Sequence, residues 1–277
     1  MINRIFRRLV TEGRLWLPVT QKNVAQDVVV SLTSYPARLP QLHLVIRSLL
    51  HQKLAPREIV LYLGNDTRDE DIPSSLRELE KYNFTIKTGC EDLKPHKKYF
   101  FAMQEYPDDA VITVDDDVIY DKDFVRDLYN CYKKFPGCVA SRRVHRMIQD
   151  TLGNIKSYND WQWECTQILE PSHQLFSTGC GGALYPPKVL PPETFDAEAI
   201  KAHCLNTDDI WLKFMELKAD VKVVFTNSKV IHPLTVRNTQ ASALMHTNTA
   251  AENRNDINIR AMESFTGIKL ADYAAED

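Results

Sequence analysis

The chain has 277 residues, 44% of them hydrophobic and 26% charged, which suits one large soluble α/β domain or a domain with a smaller appended part. A formal net charge of −3 gives no general electrostatic reason to bind nucleic acid, so any anionic ligand must be held locally. No apolar run approaches the ~20 residues that cross a bilayer, and six scattered cysteines without a Cys-x-x-Cys pair or secretory signal predict reduced thiols in a cytoplasmic protein.

Taken in order, Met1 to Leu17 carries Arg4, Arg7, Arg8 and Arg14 against Glu12 alone, with Ile2, Ile5, Phe6, Leu9 and Val10 near helical spacing. This N-terminal segment, residues 1–24, suits an interfacial helix in peripheral contact with anionic lipid, or a plain helix packed on the domain. Val28 to Leu32 is short and β-branched and reads as a strand, running into Thr33-Ser-Tyr-Pro-Ala-Arg38, where Pro36 fixes a turn. Residues 41–53 place Leu42, Val45, Ile46, Leu49 and Leu50 at helical spacing, and Pro56 ends the element. Strands follow at Glu58–Leu63 and Phe84–Thr88, with helices over Ser74–Tyr82 and Lys97–Glu105. Strand and helix alternating at short intervals predict right-handed βαβ units and a mostly parallel sheet.

The run Ala110-Val-Ile-Thr-Val114 then reads as a buried strand that ends in Asp115, Asp116 and Asp117. Three adjacent carboxylates raise one another's pKa unless a cation or donors compensate. Mg²⁺ and Mn²⁺ are held by one or two carboxylates together with substrate phosphates, and open α/β sheets bind ligands at the carboxyl ends of their strands. No glycine-rich phosphate loop occurs, which leaves a metal to neutralise a diphosphate.

The second half is less regular. Asp123 to Phe135 is an amphipathic helix and Cys138 to Ser141 a strand. Residues 145–176 hold Tyr158, Trp161, Trp163 and His173 with little periodicity, as the floor of a sugar site or as irregular core. Thr178-Gly-Cys-Gly-Gly-Ala183 offers a backbone that approaches a ligand, or a tight turn. Asn206 or Thr207 caps a helix to Lys218 with Asp208 and Asp209 in its first turn, where the dipole favours the ionised form of a base. Val221 to Phe225 is a strand, His232-Pro233 follows a short apolar stretch, and a polar helix spans 247–265.

These features fit transfer of a group from a diphosphate-activated donor. An Mn²⁺ or Mg²⁺ ion on Asp117, helped by Asp115, takes up charge on the leaving group. Tyr35 and Arg38 hold a base or phosphate, Asp66 accepts from base or ribose, and Lys97 and Lys98 reach phosphate. His232 is a candidate third ligand.

Val28 to Arg38, Val114 to Tyr120, Ser177 to Tyr185 and Thr207 to Trp211 resemble, in that order, nucleotide-sugar glycosyltransferases of the GT-A fold, with bacterial capsule or lipopolysaccharide transferases and the exostosin-like domain as the nearest look. The resemblance implies a GT-A domain over 25–235 with a helical extension over 236–277. It implies Asp117 as direct metal ligand, Asp115 or Asp116 nearer the ribose, and Thr33, Tyr35 and Arg38 around a base, usually uracil. It places Gly181, Gly182 and Trp211 on the acceptor side, Asp209 at the reacting sugar with Asp208 beside it, and His232 at a C-terminal metal ligand. A UDP-sugar donor and a saccharide or lipid-linked saccharide acceptor follow, as in surface polysaccharide synthesis. Two acids at a helix start favour an inverting base. The rivals are a metal-dependent phosphatase, nuclease or nucleotidyltransferase, and a GT-A-like domain that binds without turnover.

Overall fold

The computed structural model describes residues 12–20, 23–228, 234–237 and 253–275. β-Branched and leucine residues build its first strand, β1 (Val24–Ser34), in which alternate side chains enter opposite layers. Val28, Val30 and Leu32 pack with helix α1 (Leu39–Leu50), which presents Leu42, Ile46 and Leu49 to them. Val29 packs the other way, with Val60, Val111 and Ala102. Full burial of each such side chain stabilises by about 1.5–3 kcal/mol, an upper figure because real unfolded chains are already partly compact.

The chain continues through β2 (Ala55–Gly64), a short helix α2 (Ser74–Arg77), β3 (Phe84–Cys90), α3 (Lys97–Glu105), β4 (Ala110–Thr113) and β5 (Val118–Ile119). After α4 (Phe124–Lys134) come β6 (Val139–Ser141), β7 (Val144–Arg146), β8 (Leu175–Ser177) and β9 (Ala183–Tyr185). Helices α5 (Ala197–His203) and α6 (Asp208–Lys218), strands β10 (Val223–Phe225) and β11 (Leu234–Thr235), and helix α7 (Arg254–Thr266) complete the described elements.

A seven-stranded sheet has the order β10-β6-β9-β4-β1-β2-β3 among the described residues. β1 pairs in parallel with β2 and β4 on its two sides, with Val30 opposite Ile59 and Ile112. Only β9 runs against its neighbours β4 and β6. The expected mostly parallel α/β sheet, flanked by helices, is therefore present. Helices α1 and α4 cover one face, and α3 and α6 cover the other, where Trp211 and Phe214 of α6 join Tyr99 of α3. Ile259 and Met262 of α7 enter that same cluster. Two small ribbons, β5 with β11 and β7 with β8, lie outside the main sheet.

The helix expected over Ser74–Tyr82 is shorter. After Arg77 the backbone tightens into i to i−3 bonds, Leu79 to Leu76 and Tyr82 to Leu79, and the α-helical pattern stops. All six cysteines are free thiols. No described helix is long and apolar enough to cross a membrane. Of the N-terminal basic segment, residues 1–11 lie outside the described residues, as does His232.

Candidate active site

The three aspartates stand at the carboxyl end of β4, beside those of β1 and β2. Val114 N–H still donates to Ser31 O of β1 at 3.0 Å, so the sheet positions the acids up to the point where they begin. The Asp115 N–H donates to the Tyr120 hydroxyl at 2.9 Å, and Tyr120 packs against Phe124 in a tilted pair with ring centroids 4.2 Å apart. Rigid aromatic packing thus holds the turn that presents the acids.

The aspartates divide their partners. Asp116 accepts from Ser34 Oγ at 2.6 Å and from Arg38 Nη1, so its charge is used inside the protein. Arg38 Nη2 also lies 3.4 Å from Asp117 Oδ2, and its guanidinium carbon is 5.4 Å from the Tyr35 ring centre. Burial raises the Asp117 carboxyl to about 6, with further lifting by Asp115 and opposition from Arg38. Asp115 points elsewhere, accepting from Lys98 Nζ at 2.8 Å.

Lys98 supplies the connection. Its ammonium, only 4% exposed, lies 2.8 Å from Asp115 and 2.9 Å from Asp208 Oδ2. Burial would lower its pKa, but the charges of Asp115, Asp208 and Asp209 outweigh this and hold it well above the ordinary lysine value. Lys98, expected to reach phosphate, is here the internal counter-ion of two carboxylates. Lys97, the next residue on α3, turns the other way to Asp92 at 2.8 Å, near Gly64 and the exposed Asp66 at the end of β2. Thr33 Oγ1 donates to Tyr62 O at 2.8 Å, a cross-strand contact rather than a free ligand group.

Asp208 and Asp209 open α6, as expected, although the Thr207 side chain makes no capping bond to the helix. Both Asp209 oxygens accept from the Gly179 N–H at 3.0 Å. Burial, and then the Asp208 charge, raise the Asp209 carboxyl despite Lys98 and that N–H. Burial beside Asp208 thus pushes this carboxyl upward, against the pull of the helix start, Lys98 and the Gly179 N–H.

Among the three glycines it is Gly179 that meets the acids. A Cβ there would stand 3.0 Å from Asp209 Oδ1 and from Lys98 Nζ, and 3.4 Å from Asp115 Oδ1. Gly181 and Gly182, expected on the acceptor side, lie against Arg143 and Phe124. A Cβ on Gly181 would fall 2.4 Å from the Arg143 Cβ, and Gly182, at φ +81°, would meet the Phe124 ring at 2.4 Å. Trp211, also expected on the acceptor side, is fully buried, with its indole N–H donating to Thr194 O at 3.1 Å.

Arg143, which no sequence pattern marks, closes this side. Its Nε donates to Glu164 at 3.1 Å and its Nη1 to Thr178 Oγ1 at 3.0 Å. Tyr158 and Trp161 of the aromatic loop are core, and His173 pairs with Asp220 at 2.9 Å beyond the far end of α6. Among the described residues, no three His, Cys, Asp or Glu side chains converge as a closed metal cage.

A mannosyltransferase, PcManGT from Pyrobaculum calidifontis, in complex with GDP-Man and Mn²⁺, superposes with a TM-score of 0.50 at 12% identity over 95% of this chain and 72% of that one. This chain has the GT-A fold. A putative nucleotide-diphospho-sugar transferase from Desulfovibrio desulfuricans G20 aligns with a TM-score of 0.43 at 12% identity, over 91% of this chain and all of that one. No family model and no curated protein sequence matches. Within the GT-A frame, the acids of β4 and α6 share one corner at the carboxyl ends of the parallel strands.

Proposed function

We propose that the protein is a metal-dependent glycosyltransferase that moves a hexosyl group from a nucleoside-diphosphate sugar to a hydroxyl of a saccharide or lipid-linked saccharide. The observation that carries this reading is the Lys98 bridge from Asp115 to Asp208, which gathers both acidic motifs into one corner beneath Gly179.

The residues suit a divalent ion. Asp117 and Asp115 offer hard oxygen donors at the end of β4, and burial with the neighbouring Asp115 charge raises the Asp117 carboxyl. One or two carboxylates plus phosphate oxygens is the usual setting of Mg²⁺ or Mn²⁺. When bound, the ion would neutralise charge that develops on the departing diphosphate. Tyr35 and Arg38 at the end of β1, with Asp66 at the end of β2, would hold the nucleotide. The sequence resemblance favours UDP, while the mannosyltransferase neighbour was crystallised with GDP-Man, so both nucleotides enter the test.

Asp209 is assigned as base. The acceptor hydroxyl oxygen attacks the anomeric carbon, the bond from that carbon to the diphosphate breaks with its electron pair, and the hydroxyl proton passes to Asp209. This displacement inverts the anomeric centre. An acid lifted by burial is a better proton acceptor than an exposed aspartate once it is ionised. Trp16 and Leu17, 66% and 57% exposed, with Arg47 over the Trp16 ring, support peripheral contact with a lipid surface that carries the acceptor.

A thermal-shift panel of UDP, GDP and their sugars, with and without Mn²⁺, tests the reading, because a ligand of the native state raises its melting temperature. Stabilisation that needs both nucleotide and metal is expected, and Asp117→Ala is expected to abolish it. Stabilisation by no nucleotide at all sinks the reading. Release of inorganic phosphate from simple nucleotides would instead favour a phosphatase.

A further inference from the structure

We propose that Trp163 is the stacking platform for the pyranose ring of the acceptor, and so determines which saccharide is accepted. The inference rests on the transferase reading above and singles out one residue of the aromatic loop.

The aromatic loop between β7 and β8 holds two tryptophans with opposite fates. Trp161 is 4% exposed and packs against Phe176, whereas Trp163 leaves 40% of its surface open. A tryptophan whose indole N–H is already bonded, here to Tyr158 O at 3.3 Å, has no polar need for solvent. The part of the ring left open is therefore apolar surface that a ligand can cover without breaking a hydrogen bond.

The ring is held rather than loose. His145 stacks on it at 4.9 Å with planes 20° apart, and the Glu164 N–H donates to His145 Nδ1 at 3.0 Å. That bond fixes His145 as a neutral acceptor at this nitrogen, consistent with burial lowering its pKa to about 3. Glu164 itself sits at φ +54°, a left-handed conformation that costs a non-glycine residue about 1 kcal/mol. The Arg143 bond to the Glu164 carboxylate helps hold this conformation, and the same guanidinium lies 6.0 Å from the Trp163 ring centre. Strain kept beside an exposed aromatic is a mark of a binding surface.

Arg143 also fixes where this platform lies. Through Thr178 Oγ1 it grips the residue before Gly179, whose N–H binds Asp209. The platform is thus tied to the turn after β8 whose Gly179 N–H holds the candidate base of α6, while Tyr35, Arg38 and Asp66 belong to the ends of β1 and β2. An indole face matches the C–H face of a pyranose, and the Arg143 guanidinium 6.0 Å from the ring centre, paired with Glu164, matches hydroxyls. A flat apolar face with a charged polar rim suits a sugar better than a lipid tail or a peptide.

The test uses the full chain and methyl glycosides of mannose, glucose and galactose, followed by ¹⁵N indole NMR and saturation-transfer difference. The Trp163 resonance, assigned by its absence in Trp163→Phe, is expected to shift saturably with at least one glycoside while that of exposed Trp16 stays put. Affinity for that glycoside is expected to fall about tenfold or more in Trp163→Ala and less in Trp163→Phe. If the alanine variant fails to fold, Trp163→Phe and Trp163→His decide by the same measurement. No movement at Trp163, or equal movement at Trp16, overturns the proposal. Nucleotide thermal shifts on the same samples keep the two readings apart. If they fail while glycosides move Trp163, the donor assignment falls and the platform stands.

Discussion

Lys98 Nζ stands 2.9 Å from Asp208 and 2.8 Å from Asp115, so one buried ammonium joins the acids at the end of β4 to those at the start of α6. Its removal leaves a buried, like-charged cluster without its counter-ion. Lys98→Met is expected to cost roughly 3 kcal/mol or more in urea unfolding, the usual range when one partner of a buried pair is lost. It is also expected to lower transfer at least a hundredfold, in the range of a lost preorganised charge. A variant with wild-type stability and transfer would show that the bridge does neither.

Gly179 offers a finer probe of the same corner. Alanine places its methyl 3.0 Å from both Asp209 Oδ1 and Lys98 Nζ, tighter than ordinary contact, so one of them must move by a few tenths of an ångström. Gly179→Ala is expected to reduce transfer about tenfold or more while stability changes by about 1 kcal/mol. Steady-state kinetics beside urea unfolding measures both. Equal proportional losses in the two would point to a folding role only.

Asp117 links metal binding to pH. With its carboxyl raised to about 6, it holds a proton below that pH, and a metal ligand must shed it. The added stabilisation by Mn²⁺ with nucleotide is expected to shrink as pH falls from 7 to 5. Asp117→Asn is expected to flatten that dependence. Thermal shifts in a buffer series measure it, and a constant Mn²⁺ increment across the range would detach Asp117 from the metal.

How much of this was legible in the residues varies with the range of the interaction. The β-branched run ending at Asp115 and the helical spacing of Leu42, Ile46 and Leu49 are local, and they located the sheet, its direction and its acidic end. Strand β9 has only Ala183–Tyr185, too short to show a period of two, so its antiparallel course stayed hidden. The Lys98–Asp208 contact joins residues far apart in sequence, and no spacing encodes it. At Asp209 the helix start favours the ionised acid, whereas burial and Asp208, which no local spacing shows, push the other way. Three glycines announced a close approach without showing that Gly179 meets the acids while Gly181 meets Arg143. Trp161 and Trp163 differ by two positions in an aperiodic loop, where nothing in the pattern says which is covered.

His96 bears on stability away from the acids. It is fully buried between α3 and the end of α5, with Nε2 2.9 Å from Cys204 O and Nδ1 2.8 Å from the Tyr99 hydroxyl. One neutral tautomer satisfies both contacts: Nε2–H donates to the carbonyl and Nδ1 accepts from the hydroxyl. Burial lowers its pKa from 6.5 to about 4, against opposing contributions from Asp208 and the Cys204 carbonyl. Because the folded value is depressed, the unfolded chain binds the extra proton first. The stabilisation is full above pH 6.5 and is lost as pH falls toward 4, amounting to about 3 kcal/mol. Urea unfolding between pH 7 and 4.5 is expected to show this slope, and His96→Gln is expected to reduce it by one proton, about 1.4 kcal/mol per pH unit. An unchanged slope in the variant would assign the acid sensitivity to other groups, with His145 the next to examine.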